Sequence, residues 1–263
     1  MRRSFLFAVC FTLWILAAAP LAHANGVFQS VRGDVRAAAG MAAPTSVAAN
    51  QQIVPGTTVT TGPGAQTIIR FDDGHTVVLN ENTEFRVNQY SFDKDKPQSD
   101  NVAMQLLKGA MRSVSGLIAS RSQQAFALLA PQATIGIRGT DFMIALVNPA
   151  YLSVLQGTIS ASNAAGTATF AAGATATVAS STTLAAAIPA SALPPSVAST
   201  FSNLSSVAIG TAGAGAGAAS GAAAGGISAG MVAAGVAMVG VAAAAASSSS
   251  GEQQMTTTTV TTH

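Results

Sequence analysis

With 263 residues the chain has room for one or two domains, and only 8% of its side chains are charged. Twelve Lys and Arg stand against ten Asp and Glu, so the sequence lacks the basic surplus that a nucleic-acid binder uses to neutralise phosphates. One cysteine, Cys10, and three histidines leave little material for a Cys/His metal site or a thiol nucleophile.

Arg2 and Arg3 precede an apolar run from Phe5 to Leu16 that is too short to span a bilayer, and Ala22-His23-Ala24 offers a small-x-small cleavage site. The pattern predicts a secretory signal peptide over residues 1–24, with Asn25 as the first mature residue and the periplasm as destination. Cys10 would leave with the signal, so no disulfide is expected. Loss of Arg2 and Arg3 also brings the twelve bases level with the ten acids. The remaining charge is unevenly spread: beyond Asp141 the single charged side chain is Glu252. Two physically different regions are therefore joined.

Residues 25–180 alternate apolar and polar side chains between glycines, the pattern of an all-β domain. Pro55-Gly56 turns into an expected strand over Thr57–Thr61, and Gly62-Pro63-Gly64 turns into another over Gln66–Phe71. Asp73 and Gly74 then supply the backbone freedom of a tight hairpin turn before Thr76–Asn80 returns antiparallel. In that returning strand Val77 and Leu79 share one face and Thr76, Val78 and Asn80 the other, and one face is expected to be wet. The loop from Phe92 to Asn101 is too polar to bury and reads as an exposed, mobile connection.

Gly56, Gly109, Gly139 and Gly157 fall before or within extended runs, which predicts a rolled or solenoid-like antiparallel sheet in place of a flat one. Gly56–Gly74 and Gly157–Gly173 share a strand-turn-strand rhythm. Residues 181–212 are rich in Ala, Ser and Pro and read as a linker with a short helix from Pro195 to Ser205.

Over residues 213–247, Gly213, Gly217, Gly221 and Gly225 recur every fourth position, and Gly226 and Gly230 continue the habit. On a helix they form a stripe for close backbone approach. Residues 226–246 carry neither charge nor proline and are long enough for a membrane span, but alanine and glycine drive insertion weakly. A membrane segment, a helix packed on copies of itself, and an unstructured segment all remain open for this stretch. The Ser/Thr-rich end, residues 248–263, reads as unfolded on its own.

Several of these segments occur together in a recognisable order: the PG and TGPGA turns, the DG before an apolar strand leading to NENTEF, the KG followed by Arg112, and the IRGTDF run. From Gly33 to Val178 the chain resembles the FecR-like domain of Gram-negative envelope proteins. The resemblance implies an all-β periplasmic domain which, in the founding proteins, lies beyond a membrane helix and relays a signal from an outer-membrane transporter to a sigma factor. A cleavable signal would leave no cytoplasmic segment here, so the sigma-factor arm of that relay is not expected. The Gly/Ala helix and threonine-rich end also resemble, in composition, small membrane proteins of capsule or exopolysaccharide operons.

Catalysis finds little support. His75 follows the Asp73-Gly74 turn and is expected in solvent, while His263 is the last residue. Asp72, Asp73, Glu81 and Glu84 read as turn formers and strand-margin residues, so no metal, no cofactor and no catalytic residue is expected. Arg138 and Asp141, separated by Gly139 and Thr140 in an otherwise apolar strand, raise one question: what do two charges do there? The reading favoured is a structural clamp, the two reaching each other or nearby backbone groups at the sheet margin, with Arg112 in the same role. A partner-binding surface is the alternative for Arg138, Gly139, Asp141, Arg112, Asp73 and Gly74. Function is accordingly expected to be recognition, of an envelope protein partner or a surface polysaccharide and not of nucleic acid. A self-associating cell-surface protein and a soluble secreted binding protein are the alternatives.

Overall fold

Where apolar and polar residues alternate, the computed structural model, which describes residues 25–209, places strands: fifteen among the described residues, in one continuous sheet. Three of them are long enough to take part in two layers. One layer runs β3 (Thr45–Ser46), β2 (Val35–Ala39), β5 (Thr57–Thr61), β8 (Glu84–Ser91), the first half of β9 (Asn101–Val114), β10 (Phe126–Leu129), the start of β11 (Thr134–Leu146), the end of β12 (Ala150–Asn163) and β13 (Gly166–Ala171). The other runs β4 (Gln52–Ile53), β1 (Gly26–Arg32), β6 (Gln66–Phe71), β7 (Thr76–Leu79), the remaining halves of β9, β11 and β12, then β14 (Thr175–Val178) and β15 (Ala186–Ile188). The layers enclose a core that includes Phe28, Ile69, Phe85, Leu106, Phe142 and Leu152. A rolled all-β fold is what the glycine spacing predicts, with one refinement: β10 lies parallel to β9, while the other pairs are antiparallel.

The long strands change layer at glycines with left-handed backbones. β9 pairs with β8 up to Lys108 and with β11 from Gly109 onward, and Gly109 has φ +86°. Between Arg138 and Asp141, β11 carries Gly139 and Thr140 opposite the single residue Gly157 of β12, which is a bulge; φ is +56° at Gly139 and +74° at Gly157. A Cβ at Gly157 would lie 2.1 Å from the Gly139 carbonyl oxygen, whereas one at Gly139 would meet open space.

Two helices complete the domain. The short α1 (Leu117–Arg121) leads from β9 towards β10, and α2 (Pro195–Ser206) lies on the outer face of the second layer. Val197, Phe201 and Leu204, spaced to share one helical face, bury against Val78, Ala110, Met143 and Ala145. Two expectations are corrected here. The outer face of β7 is not wet, because α2 covers Val78 and all four β7 residues are buried. The expected linker at 181–212 is, through Ile209, part of the domain: β15 extends the sheet and α2 seals it.

The Gly56–Gly74 and Gly157–Gly173 segments also differ: β12 and β13 form a hairpin, but β5 pairs with β2 and β8, not with β6. Among the described residues no helix is long and apolar enough to cross a membrane. The expected span at 226–246 and the stripe from Gly213 to Gly230 lie outside the described residues.

The bulge gives a paired test. Gly139→Ala should cost about 1–2 kcal/mol, the penalty of a left-handed alanine in open space. Gly157→Ala adds a collision with backbone and should exceed about 3 kcal/mol or abolish folding. Urea unfolding followed by circular dichroism ranks the two; equal costs would contradict the bulge.

Candidate functional site

The charges flagged in the sequence do come to rest at the sheet's layer change, but in a different pairing. Asp141, 9% exposed, meets Arg112 from the neighbouring strand β9: Arg112 Nε donates to Oδ1 at 2.8 Å and Nη2 to Oδ2 at 2.6 Å. This two-pronged geometry is one that only arginine offers a carboxylate. The remaining arginine nitrogen, Nη1, faces the carbonyls of Leu204, Ser205 and Val207, each at 3.2 Å. Those carbonyls form the C-terminal end of α2, where unpaired oxygens and the helix dipole concentrate negative charge. Arg112 thus ties β11 and α2 to β9, and the clamp expected between Arg138 and Asp141 lies between Arg112 and Asp141. Arg138 itself is exposed on the outer face of the first layer.

A second polar assembly is buried in the core around Asp73. The Asp73-Gly74 turn forms as expected, with φ +86° at Gly74, yet Asp73 is 3% and His75 1% exposed. His75 is therefore not a solvent-facing turn residue: Phe126 of β10 stacks on its ring at 5.2 Å and Phe71 meets it edge-on. The Asp73 carboxylate accepts from the Tyr90 hydroxyl at 2.9 Å, the His75 backbone at 3.1 Å and the Ile118 backbone at 3.3 Å. Its carbonyl accepts from Leu117, so Asp73 anchors the start of α1 to the hairpin. Gly116 is required beside it, since a Cβ there would lie 2.4 Å from the His75 nitrogen.

Ser113 Oγ lies 3.1 Å from His75 Nε2. Serine, histidine and aspartate thus converge, but the Asp73 carboxylate bonds the backbone of His75 and not its ring, and Ser113 is wholly buried. A catalytic relay needs the carboxylate on the imidazole and the hydroxyl open to substrate. The arrangement holds the core together. Burial lowers the His75 pKa to about 4 against the opposing pull of Asp73, and burial followed by Asp73 raises that of the Tyr90 phenol. Burial and then Asp73 also raise the Asp72 carboxyl. Among the described residues no three His, Cys, Asp or Glu side chains are grouped to hold a metal ion.

The loop after β8 is exposed from Lys94 to Ser99, but its ends are tied. Arg121 stacks over Phe92 at 4.9 Å, donates to the Lys94 carbonyl at 3.2 Å and faces the buried Asp100 carboxylate at 3.6 Å. Elsewhere a polar groove of about 570 Å³ opens between β1, β6 and the end of α2, lined by Ser30, Arg32, Gln66, Asn80, Glu81 and Asn203. Tyr90, Ser113, Gly116 and the α2 carbonyls were absent from the sequence-based set; the Val197-Phe201-Leu204 spacing is the signal that points to the last.

A rolled two-layer sheet with its charged clamp at the layer change defines the class of domain. Residues 57–160, from β5 into β12, match the family model described as FecR protein. Asp73, Arg112, Arg138 and Asp141 all fall within the match. No curated protein matches the chain. Among solved structures, two crystal structures of a candidate anti-sigma factor from Parabacteroides distasonis are similar, at 15% and 13% identity with TM-scores of 0.40 and 0.39. Each comparison covers 50% of this chain and 58% of the other.

Two measurements test the site. Because the folded His75 pKa lies below its ordinary value of 6.5, the unfolded chain binds more protons between about pH 6.5 and 4. Stability contributed by neutral His75 is full above pH 6.5 and falls, by on the order of 3 kcal/mol, as pH drops through that window. Urea midpoints from pH 7.5 to 4.5 should show this slope in the wild type and lose much of it in His75→Gln.

Arg112→Ala should cost about 3 kcal/mol, since it strands a largely buried carboxylate, and should expose residues 195–207 to limited proteolysis. Arg112→Lys should recover only part, because one ammonium cannot serve both Asp141 and the helix end. Unchanged proteolysis would show that α2 does not depend on the clamp.

Proposed function

We propose that the chain is an exported, non-enzymatic recognition module that works with a protein partner in envelope signalling or surface-polymer assembly. The observation that carries this reading is the FecR match over residues 57–160. The burial of the Ser113–His75 pair supports a role without chemistry, because no substrate reaches either group. The spread of charge adds to it: the bases and acids that could dress a recognition surface lie almost wholly in the FecR-like part of the chain. The N-terminal signal pattern supports an exported domain that a protein partner in the envelope can meet.

The test is to express the full chain with a C-terminal tag, sequence the N-terminus of the product, and treat spheroplasts with protease before and after crosslinking in intact cells. The expected product starts at Asn25, its β-domain is cleaved in spheroplasts, and the crosslinked chain migrates with an envelope protein. A product that retains residues 1–24 and stays protected from protease would overturn the exported reading; an exported chain with no crosslinked partner would overturn recognition of a protein.

A further inference from the structure

The sheet has four free edges among the described residues, and one of them is unlike the others. β3 and β4 are two residues long and β15 three, short enough to offer little to another chain, whereas β13 has six residues, GTATFA, with no charge and no proline. β13 pairs with β12 through a two-residue turn that closes at Asn163 opposite Gly166. In such a hairpin the closing pair exchanges hydrogen bonds and every second pair does so thereafter. Gly166, Ala168 and Phe170 therefore direct their backbone groups to β12, and Thr167, Thr169 and the Ala171 N–H point outward, where no strand receives them, while the Ala171 carbonyl accepts from the Ala174 N–H at 3.0 Å. The same three residues are exposed, while Phe170 is buried.

The face beside this edge carries a charge without a partner. Register places Arg138, Thr158 and Ala171 in one row across β11, β12 and β13, and Gly136, Ser160 and Thr169 in the next. The guanidinium side chain has no ion pair or hydrogen bond among the described residues. It borders a hollow of about 250 Å³ whose lining includes Gln123, Gly136, Ser160 and Thr169, so the hollow reaches from Arg138 to the edge strand. Residues of this row are small enough for a long side chain to lie across them.

We propose that β13 is a docking edge that receives an extended acidic segment of a partner protein as an additional strand, with Arg138 attracting the acidic side chains of that strand across the intervening face. This rests on the recognition reading and names its surface. Backbone hydrogen bonds to Thr167, Thr169 and the Ala171 N–H supply affinity, and Arg138 selects the charge. With strands about 4.8 Å apart, the incoming backbone lies about 14 Å from that of Arg138, so an arginine and a glutamate that both extend over Thr158 and Ala171 come within range of a screened attraction and not of a direct hydrogen bond. A second copy of the chain fits less well: its own β13 brings no acid and leaves Arg138 unpaired.

The experiment uses the chain from Asn25 to His263 and two short peptides, one alternating glutamate with valine and one alternating lysine with valine. Hydrogen exchange on the free chain should find the amides of Thr167, Thr169 and Ala171 fast and those of Ala168 and Phe170 slow. The glutamate peptide should protect the three fast amides and the lysine peptide should not. Thr169→Pro removes an outward donor while sparing the bonds to β12 and should abolish protection; Thr169→Lys serves the same end if the proline variant misfolds. Arg138→Gln should weaken glutamate-peptide binding about two- to fivefold at low salt, and less at high salt, the worth of one exposed charge–charge attraction.

Failure of the glutamate peptide to protect these amides, or equal protection by both peptides, overturns the proposal. Protection that grows with protein concentration in the absence of peptide makes a second copy the occupant and overturns it as well. A chain that fails here but still crosslinks to an envelope protein retains the recognition function and loses only this surface.

Discussion

Everything in the domain depends on one steric constraint: β9, β11 and β12 must leave one layer and enter the next without breaking their hydrogen-bonded ladders. An L-residue resists the left-handed backbone this requires, and glycine does not. Gly109 and Gly157 meet the constraint under the added demand of contact, since Thr83 presses on the first and the Gly139 carbonyl on the second. The bulge opposite Gly157 reorients the chain so that Asp141 reaches Arg112 on β9 while Arg138 faces outward. Two charges three positions apart thus acquire unrelated roles.

The buried polar groups then fix which fold-over is adopted. Apolar packing of Phe28, Phe85 and Phe142 would tolerate some sliding of one layer on the other, as hydrophobic contact is not directional. Asp73 is less tolerant, because its carboxylate must find a phenol and two backbone amides at once, and an unmet bond in the core is costly. The Arg112–Asp141 pair imposes the same demand at the layer change. Such groups add modest net stability and strong selectivity among alternative packings.

Local signals in the sequence were strong wherever structure is local. The strands at Thr57–Thr61 and Gln66–Phe71, the turn at Gly74 and the helix from Pro195 each follow from neighbours in the chain. The pairing of Arg112 with Asp141 does not, because it spans 29 positions and depends on which strands become adjacent. His75 was misplaced for a related reason: nothing near the turn reveals that Phe126 will stack on it. The wet face assigned to β7 failed because alternation reports a side chain's face and not what a distant helix will lay over it. Val78 made sense only once Phe201 and Leu204 were in place.

Arg112 meets carbonyls 92 to 95 positions downstream. A contact of that span closes late, since a long loop must lose its freedom before the bond forms. A chain emerging from a ribosome or a membrane channel therefore has both partners of the Arg112–Asp141 pair in hand well before it has the helix that covers them. Completion of the fold is gated by delivery of residues 195–207, and a chain truncated just short of them would present Val78, Ala110 and Met143 as a bare apolar surface, the kind that quality-control proteases and chaperones read as unfinished.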